Sequence, residues 1–217
     1  RFIFFLRYVF GLFVIAIILF LLVPNYFNYE ERSETFKNHL IKNYDLRILK
    51  YEKIEFNSFP VPYIEFKNAI IKLKTSPAEI NVKKFKIYPK FLSIYNYENF
   101  QSKKIVLKNS IMISEFLAFK FFVIKFINQK NNFYFDDLNI KINDGFKSLV
   151  LIEKVKFTNH GYKKNIIEGN IFEKKFKIKI NNNLNNINFK LLKSGLSTDI
   201  YLGDQNNNFT NGVFKLK

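Results

Sequence analysis

The sequence predicts a mainly β protein carried on one N-terminal transmembrane helix. Three observations predict it. Residues 8–23 are apolar and uncharged, residues just beyond them repeat at helical spacing, and from Leu46 onward apolar and polar side chains alternate with period two. The organisation read from these patterns is a transmembrane anchor over residues 1–25, a short amphipathic helix over 26–45 and a β-rich domain over 46–217. A chain of 217 residues, 48% of them apolar, suffices for one domain with a real core plus a small appendage.

The run "YVFGLFVIAIILFLLV" carries no charge, and Phe2 to Leu6 extend it with only Arg7 interrupting. At ~1.5 Å per residue its length matches the roughly 30 Å of a hydrocarbon core. A cleaved signal peptide would end in small residues, whereas "VPNYFNYEE" follows here. A buried core helix is seldom apolar on every face for so long. Arg1 and Arg7 on the short side place the N-terminus in the cytoplasm and everything after Pro24 outside it. The chain opens on Arg rather than Met, so initial residues are expected to be missing.

Pro24 is expected to end the span. Asn28 and Glu31 have the spacing of a capping box for a helix running to about Asn43, with Phe36, Leu40, Ile41 and Tyr44 as its apolar stripe. Its place just beyond the membrane also suits an interfacial position.

The strands come next. In "SFPVPYIEFKNAIIKLKTS" Ile64 and Phe66 share one parity and Ile71 and Leu73 the other; a bulge or tight turn near Lys67, Asn68 and Ala69 would bring both pairs to one face. Pro60 and Pro62 confine the preceding residues to an edge or connection. "KKIVLKNSIMI" puts Ile105, Leu107, Ile111 and Ile113 on one face. "FYFDDLNIKIN" puts Phe133 and Phe135 on one parity and Leu138, Ile140 and Ile142 on the next. "SLVLIEKVKF" aligns Leu149, Leu151, Val155 and Phe157, and "EKKFKIKIN" aligns Phe176, Ile178 and Ile180. Residues 115–130, "EFLAFKFFVIKFINQK", are apolar at neighbouring positions and fit either a strand or a helix. With no evident helical crossover, the pattern predicts a curved antiparallel β-meander. Such a one-sided sheet must close on itself, pack on a second sheet, or leave an apolar groove.

Chemistry is sparse. Lys plus Arg number 35 against 18 Asp plus Glu, a formal charge of +17 that suits anionic partners, with A/T-rich codon usage as the competing explanation of the lysine count. There is no Cys, hence no disulfide and no thiolate metal site. His39 reads as a surface helix position and His160 as a turn position, without metal-ligand spacing. No nucleotide, nucleophile-elbow or zinc-protease motif occurs. Asp136 and Asp137 are adjacent, so in a strand they face opposite ways, and they read as the end of one strand. Asn208 opens a glycosylation-like "NFT" that chance explains in so Asn-rich a chain. The expectation is therefore no enzyme, no cofactor and no metal. Nucleic acid is disfavoured because period-two alternation sends lysines and aromatics to opposite faces.

The order of the anchor, "NYEERSETFKNHLIKNYDL", "RILKYEKIEF", "SFPVPYIEFKNAIIKLK", "EINVKKFKIYPKFLSI" and "KKIVLKNSIMI" resembles the N-terminal region of the AsmA-like family over residues 8–114. "IIEGNIFEKKFKIKINNNLNNINFKLLKSG" looks like that family's later meander. The resemblance implies an inner-membrane protein of the Gram-negative envelope, its bulk periplasmic, that handles or transports phospholipid in outer-membrane biogenesis, related to chorein-type bridge proteins. Family members are much longer, and the closing "NGVFKLK" reads as a strand in progress, so a fragment or a short member is expected. If acyl chains are the ligand, the lining candidates are Ile64, Phe66, Ile105, Leu107, Ile111, Ile113, Phe133, Phe135, Ile140, Ile142, Leu149, Leu151, Phe176 and Ile178. The same residues equally describe a closed core. The alternative function is a non-transporting scaffold that docks other envelope proteins, akin to lipopolysaccharide-export components.

Overall fold

A run of apolar side chains lets a helix form its internal hydrogen bonds while needing no polar surface, and Phe2–Leu22 is a helix, α1. The computed structural model describes residues 2–73, 78–90, 92–96, 98–145, 147–159, 164–181, 186–202 and 210–216. In it α1 stands clear of the sheet, with Phe4, Leu12, Ile15 and Leu19 all exposed. Together with the 3₁₀ turn Val23–Tyr26 it makes one segment, Phe4–Tyr26, long and apolar enough to cross a membrane. Pro24 sits at the start of that turn, where its missing N–H costs nothing, and Tyr29 Oη donates to its carbonyl at 2.6 Å.

Helix α2 spans Ser33–Tyr44 and ends on Asp45 in the left-handed conformation. Asn28 Oδ1 does accept from Glu31 N, at 3.4 Å, but this closes a turn ahead of the helix rather than capping it. Phe36, Leu40 and Tyr44 bury as their spacing predicts, and Ile41 lies half-buried at the margin.

The strands are β1 (Leu46–Lys50), β2 (Lys53–Asn57), β3 (Tyr63–Leu73), β4 (Glu79–Pro89), β5 (Ser102–Glu115), β6 (Phe133–Asp144), β7 (Lys147–Asn159), β8 (Lys164–Ile171), β9 (Lys174–Asn181), β10 (Asn186–Leu191), β11 (Leu196–Leu202) and β12 (Thr210–Leu216). They form one open sheet in the order β1-β3-β4-β5-β6-β7-β8-β9-β10-β11-β12, with β2 beside β1 on β3. The expected mainly β, one-sheet architecture is present, with one junction different. β5 and β6 run parallel, joined by helix α3, Phe116–Ile127. A parallel pair needs a crossover, and the undecided run at 115–130 provides it. Every other junction is antiparallel.

α3 buries Ala118, Phe122 and Phe126, one residue per turn, against Phe133, Phe135 and Phe157. Two buried asparagines fasten its exit. Asn159 Oδ1 accepts from Phe133 N at 2.7 Å while its Nδ2 donates to Gln129 O at 2.9 Å and Asn131 O at 2.8 Å. Asn165 Nδ2 donates to Ile127 O at 3.0 Å.

A crease crosses the sheet. Asn68, Asn109, Asp137 and Lys154 all have positive φ, of 47°, 51°, 68° and 52°. The paired residues on either side, Lys67 with Lys84 and Ala69 with Val82, Lys84 with Lys108 and Val82 with Ser110, and Lys108 with Asp136 and Ser110 with Leu138, bracket Asn68, Lys83, Asn109 and Asp137 into one line. Each left-handed residue shifts the alternation by one, so the halves on either side of it bury opposite parities against one core. In β3 these are Ile64 and Phe66, then Ala69, Ile71 and Leu73; in β6 they are Phe133 and Phe135, then Leu138, Ile140 and Ile142. The bulge expected at Asn68 is thus one member of a row.

The row corrects two readings. Beyond Asn109, Ser110 and Met112 turn inward while Ile111 and Ile113 are 47% and 57% exposed on the other face. Before Lys154, Ile152 packs on the core while Leu149 and Leu151 are exposed. Asp136 and Asp137 likewise do not end a strand but lie within β6 at the crease. Asp136 faces Lys108 at 3.0 Å and Lys156 at 3.7 Å, and the Lys108 hydrogen bond holds its carboxyl below the usual range against some desolvation.

Two substitutions test this account by thermal unfolding of the detergent-solubilised chain. Asn109→Val should destabilise by ~1–2 kcal/mol, because a β-branched residue resists positive φ, while Asn109→Gly should be near neutral. Asn159→Leu strands Phe133 N and two carbonyls and should cost on the order of 3 kcal/mol.

Candidate functional site

The apolar face of the sheet continues past the part that the helices cover. α2 packs on β1 and α3 on β5 and β6. Under them Ile64, Phe66, Ile105, Leu107, Phe133, Phe135, Ile140 and Ile142 belong to one closed core. Across β7 the same face runs on. Phe157 opposes Ile167, Ile167 opposes Ile178, Ile178 opposes Phe189 and Phe189 opposes Thr198. The neighbouring row is Asn165, Ile180, Ile187 and Ile200.

The reverse face carries Glu168, Lys177, Lys190 and Ser197 in one row and Ile166, Lys179, Asn188 and Asp199 in the next. Lys177 pairs with Glu168, and Asn188 donates to Asp199. Directly opposed residues in a sheet share a face, so these registers make β8–β11 mainly apolar on one side and, Ile166 apart, polar on the other. Among the described residues no helix packs on β9, β10 or β11 as α2 does on β1 or α3 on β5 and β6. Phe176 and Ile180 are buried, whereas Ile167, Ile178, Ile187, Phe189 and Ile200 are only half-buried. Phe176 stacks on Phe189 at 6.3 Å and lies over Gly169, where an added Cβ would sit 3.0 Å from its ring.

The lining candidates therefore separate three ways. Ile64, Phe66, Ile105, Leu107, Phe133, Phe135, Ile140 and Ile142 fill the closed core, Phe176 and Ile178 lie on the uncovered stretch, and Ile111, Ile113, Leu149 and Leu151 face outward. Sequence reading passed over Ile167, Ile187, Phe189 and Ile200. Their alternation with Glu168, Asn188, Lys190 and Asp199 was the available signal.

The separation of lysines from aromatics also holds only in part. Phenylalanines go inward, but tyrosines share the outer face with lysines: Lys86 Nζ lies 3.8 Å from the Tyr63 ring and Lys104 Nζ 4.5 Å from that of Tyr88. Lys86 is also paired with buried Glu65 at 3.3 Å.

A cleft of 620 Å³ lies elsewhere and is polar. It lies between α2 and residues 98–102 and is lined by His39, Lys42, Lys90, Asn99, Ser102 and Asn131, among others. His39 is half-buried rather than on the surface. Asn43 Nδ2, which also donates to His39 O, lies 3.1 Å from His39 Nδ1, so Nδ1 accepts and Nε2–H donates to Ser102 Oγ at 2.9 Å. Both ring nitrogens are thus engaged in hydrogen bonds. Among the described residues no three His, Cys, Asp or Glu side chains converge as metal ligands. His160 and Asn208 lie outside the described residues.

Compared with known proteins, the chain matches no family model, no curated protein and no solved structure.

His39 gives a pH prediction. Its folded-state pKa is lowered, chiefly by burial, with the Lys90 charge acting the same way and a Phe100 backbone hydrogen bond opposing. The unfolded chain then binds the proton more readily, so stability is fully present above the ordinary imidazole value and declines as pH falls below it. Melts of the chain over pH 7.5 to 5 should show this slope, and His39→Gln should flatten it.

Proposed function

We propose that this is a membrane-anchored lipid-handling protein of the AsmA type, whose uncovered apolar sheet face receives phospholipid acyl chains. The observation that carries the reading is the stretch from β8 to β11. Among the described residues it presents Ile and Phe on one side with no helix packed over β9, β10 or β11 as α3 packs over β5 and β6, and it is continuous with the closed core through Ile167. Leaving a half-buried Ile or Phe open to water forgoes roughly 1 kcal/mol per side chain, and an acyl chain laid along the row would recover it. Acyl chains need a surface free of unpaired charge. The reverse face collects the lysines, so the two chemistries do not mix.

α1 supports the anchoring half of the proposal. A segment so apolar and so exposed is stable only in an apolar surrounding. Arg7 at its N-terminal side favours a cytoplasmic N-terminus, which puts the sheet in the periplasm of an inner-membrane protein. The order of anchor, short helix and successive strands supports the family reading. Phospholipid handling between membranes, in outer-membrane biogenesis, is the function that goes with it.

A second reading rests on the outward side chains. Ile113, Lys141 and Leu151 lie side by side across β5, β6 and β7, with Ile111 nearby, a small apolar patch on the polar side suited to docking another envelope protein.

The test is mass spectrometry of lipid co-purifying with the chain, read beside thermal melts. Ile178→Asp and Phe189→Asp should leave the fold intact and remove the lipid. Leu107→Asp buries an unpaired carboxylate in the closed core and should unfold the domain, at a cost of several kcal/mol. Ile111→Asp should alter neither lipid nor fold but should abolish any protein docking at the outer patch. Lipid content unchanged in Ile178→Asp and Phe189→Asp would sink the groove reading.

A further inference from the structure

The end of α1 is not a free tether. The Phe20 ring stacks on Tyr95 with centroids 4.4 Å apart, and Tyr95 Oη donates to the Phe20 carbonyl. Phe27 meets the same Tyr95 ring edge-on at 5.9 Å, and the Arg32 guanidinium covers Phe27 at 4.1 Å. On another side Asn25 Nδ2 reaches Leu22 O at 3.1 Å and Ser58 Oγ at 3.5 Å. Two loops of the β domain are thus held at the base of the span: residues 92–96, after β4, against the last turn of α1, and Ser58, in the loop between β2 and β3, against Asn25 of the 3₁₀ turn that follows it.

Those loops expose large apolar side chains beside these contacts. Tyr26 is 88% exposed, Phe59 87%, Val61 55% and Leu92 54%. Leu92 belongs to the same turn as Tyr95, whose N–H donates to Leu92 O at 3.0 Å. Residues 57–62, Asn-Ser-Phe-Pro-Val-Pro, carry no charge, and the two prolines bring no N–H that would need a partner away from water. Lys90, the charged residue of the second loop, is drawn aside onto Gln101 Oε1 at 2.9 Å.

We propose that Tyr26, Phe59, Val61 and Leu92 form a collar around the exit of α1 that seats in the headgroup layer of the bilayer, so that the sheet stands on the membrane surface. The proposal rests on the reading of α1 as a membrane span and is separate from lipid carriage by β8–β11. Depth follows from the contacts. Phe20 precedes Tyr26 by six residues, first α-helical at ~1.5 Å and then 3₁₀ at ~2 Å per residue, so a loop touching Phe20 lies on the order of 10 Å below the end of the apolar segment. This falls within the roughly 5–10 Å to which interfacial apolar groups sink. Tyr and Phe at that level match the preference of aromatic rings for the membrane–water boundary. The occupant is lipid rather than protein because the patch is continuous with the span itself, and whatever surrounds the last turns of α1 also surrounds the loops packed on them.

The chain has no Trp, so a single introduced Trp reports alone when excited beyond tyrosine absorption. The full chain is reconstituted in phosphatidylethanolamine–phosphatidylglycerol vesicles whose acyl chains carry bromine at a shallow or a deep position. Phe13→Trp marks the span, Phe59→Trp and Leu92→Trp mark the collar, and Phe172→Trp, at the exposed β8–β9 turn on the opposite strand ends, marks the solvent. The expected result is deep quenching at position 13, shallow quenching at 59 and 92, and none at 172. Quenching at 13 with 59 and 92 as silent as 172 overturns the collar while the span stands, and would point to another protein covering the patch. No quenching at 13 overturns the span and the collar with it. The collar positions lie on separate loops and are exposed, so failure of one variant to fold leaves the other to decide.

Discussion

Everything on the inner side of this sheet depends on one backbone device, the row of left-handed residues from Asn68 to Lys154. A strand of eleven or more residues with strict alternation would bury one parity from end to end and lie nearly flat. β3 has 11 residues and β5 has 14, and each changes its buried parity halfway. The change falls at matching register positions in neighbouring strands, so pairing continues on both sides and the sheet bends as a unit. Side-chain hydrogen bonds secure the crease: Asn68 Nδ2 donates to Glu52, and Asn139 Oδ1 accepts from Lys154 N at 3.0 Å.

The bend creates a hollow that α2 and α3 fill, and filling it settles which part of the sheet is core. Phe36, Leu40 and Tyr44 enter from α2, while Ala118, Phe122 and Phe126 enter from α3. The covered half is accordingly dense with aromatic contacts, such as Phe126 with Phe133 at 4.5 Å and Phe36 with Phe100 at 4.8 Å. Past β7 no further helix arrives among the described residues, and the same face continues with branched aliphatic residues in place of a phenylalanine cluster. One sheet face thus plays two parts, a core where it is covered and an open apolar wall where it is not. Asn159 and Asn165 stand at the division, using buried amides to end α3 and to begin the uncovered stretch.

The outer face manages the excess of positive charge by local pairing. Glu55 takes Lys53 and Lys67, Glu65 takes Lys86, Asp136 takes Lys108 and Lys156, and Glu168 takes Lys177. Exposed pairs of this kind contribute little each, but they keep like charges on adjacent strands from acting unopposed. Acids are too few to extend this to all 35 Lys and Arg, so the outer surface remains basic and well solvated while the inner surface stays apolar.

The sequence by itself determined the elements whose cause is local. A long uncharged run can only be a helix clear of polar demands, helical spacing placed Phe36, Leu40 and Tyr44 on one side of α2, and Asn68 beside a change of parity marked a bend. Where the cause was a partner across the sheet, the sequence was mute. Ile105, Leu107, Ile111 and Ile113 keep one parity in the chain, and only the left-handed turn at Asn109, aligned with Asp137 and Asn68, sends the last two outward. The Lys-Asn pairs at Lys67-Asn68 and Lys108-Asn109 carried a hint of it, since asparagine tolerates positive φ, but tolerance does not fix conformation. The helix at 116–127 was equally undecidable, because a run apolar at neighbouring positions fits a strand and a helix alike. The tertiary structure chose helix there because β5 and β6 run parallel and need a crossover. It also decided which apolar residues became core and which stayed open, because burial is set by whether a helix reaches that part of the sheet, a long-range fact that no strand's own pattern contains.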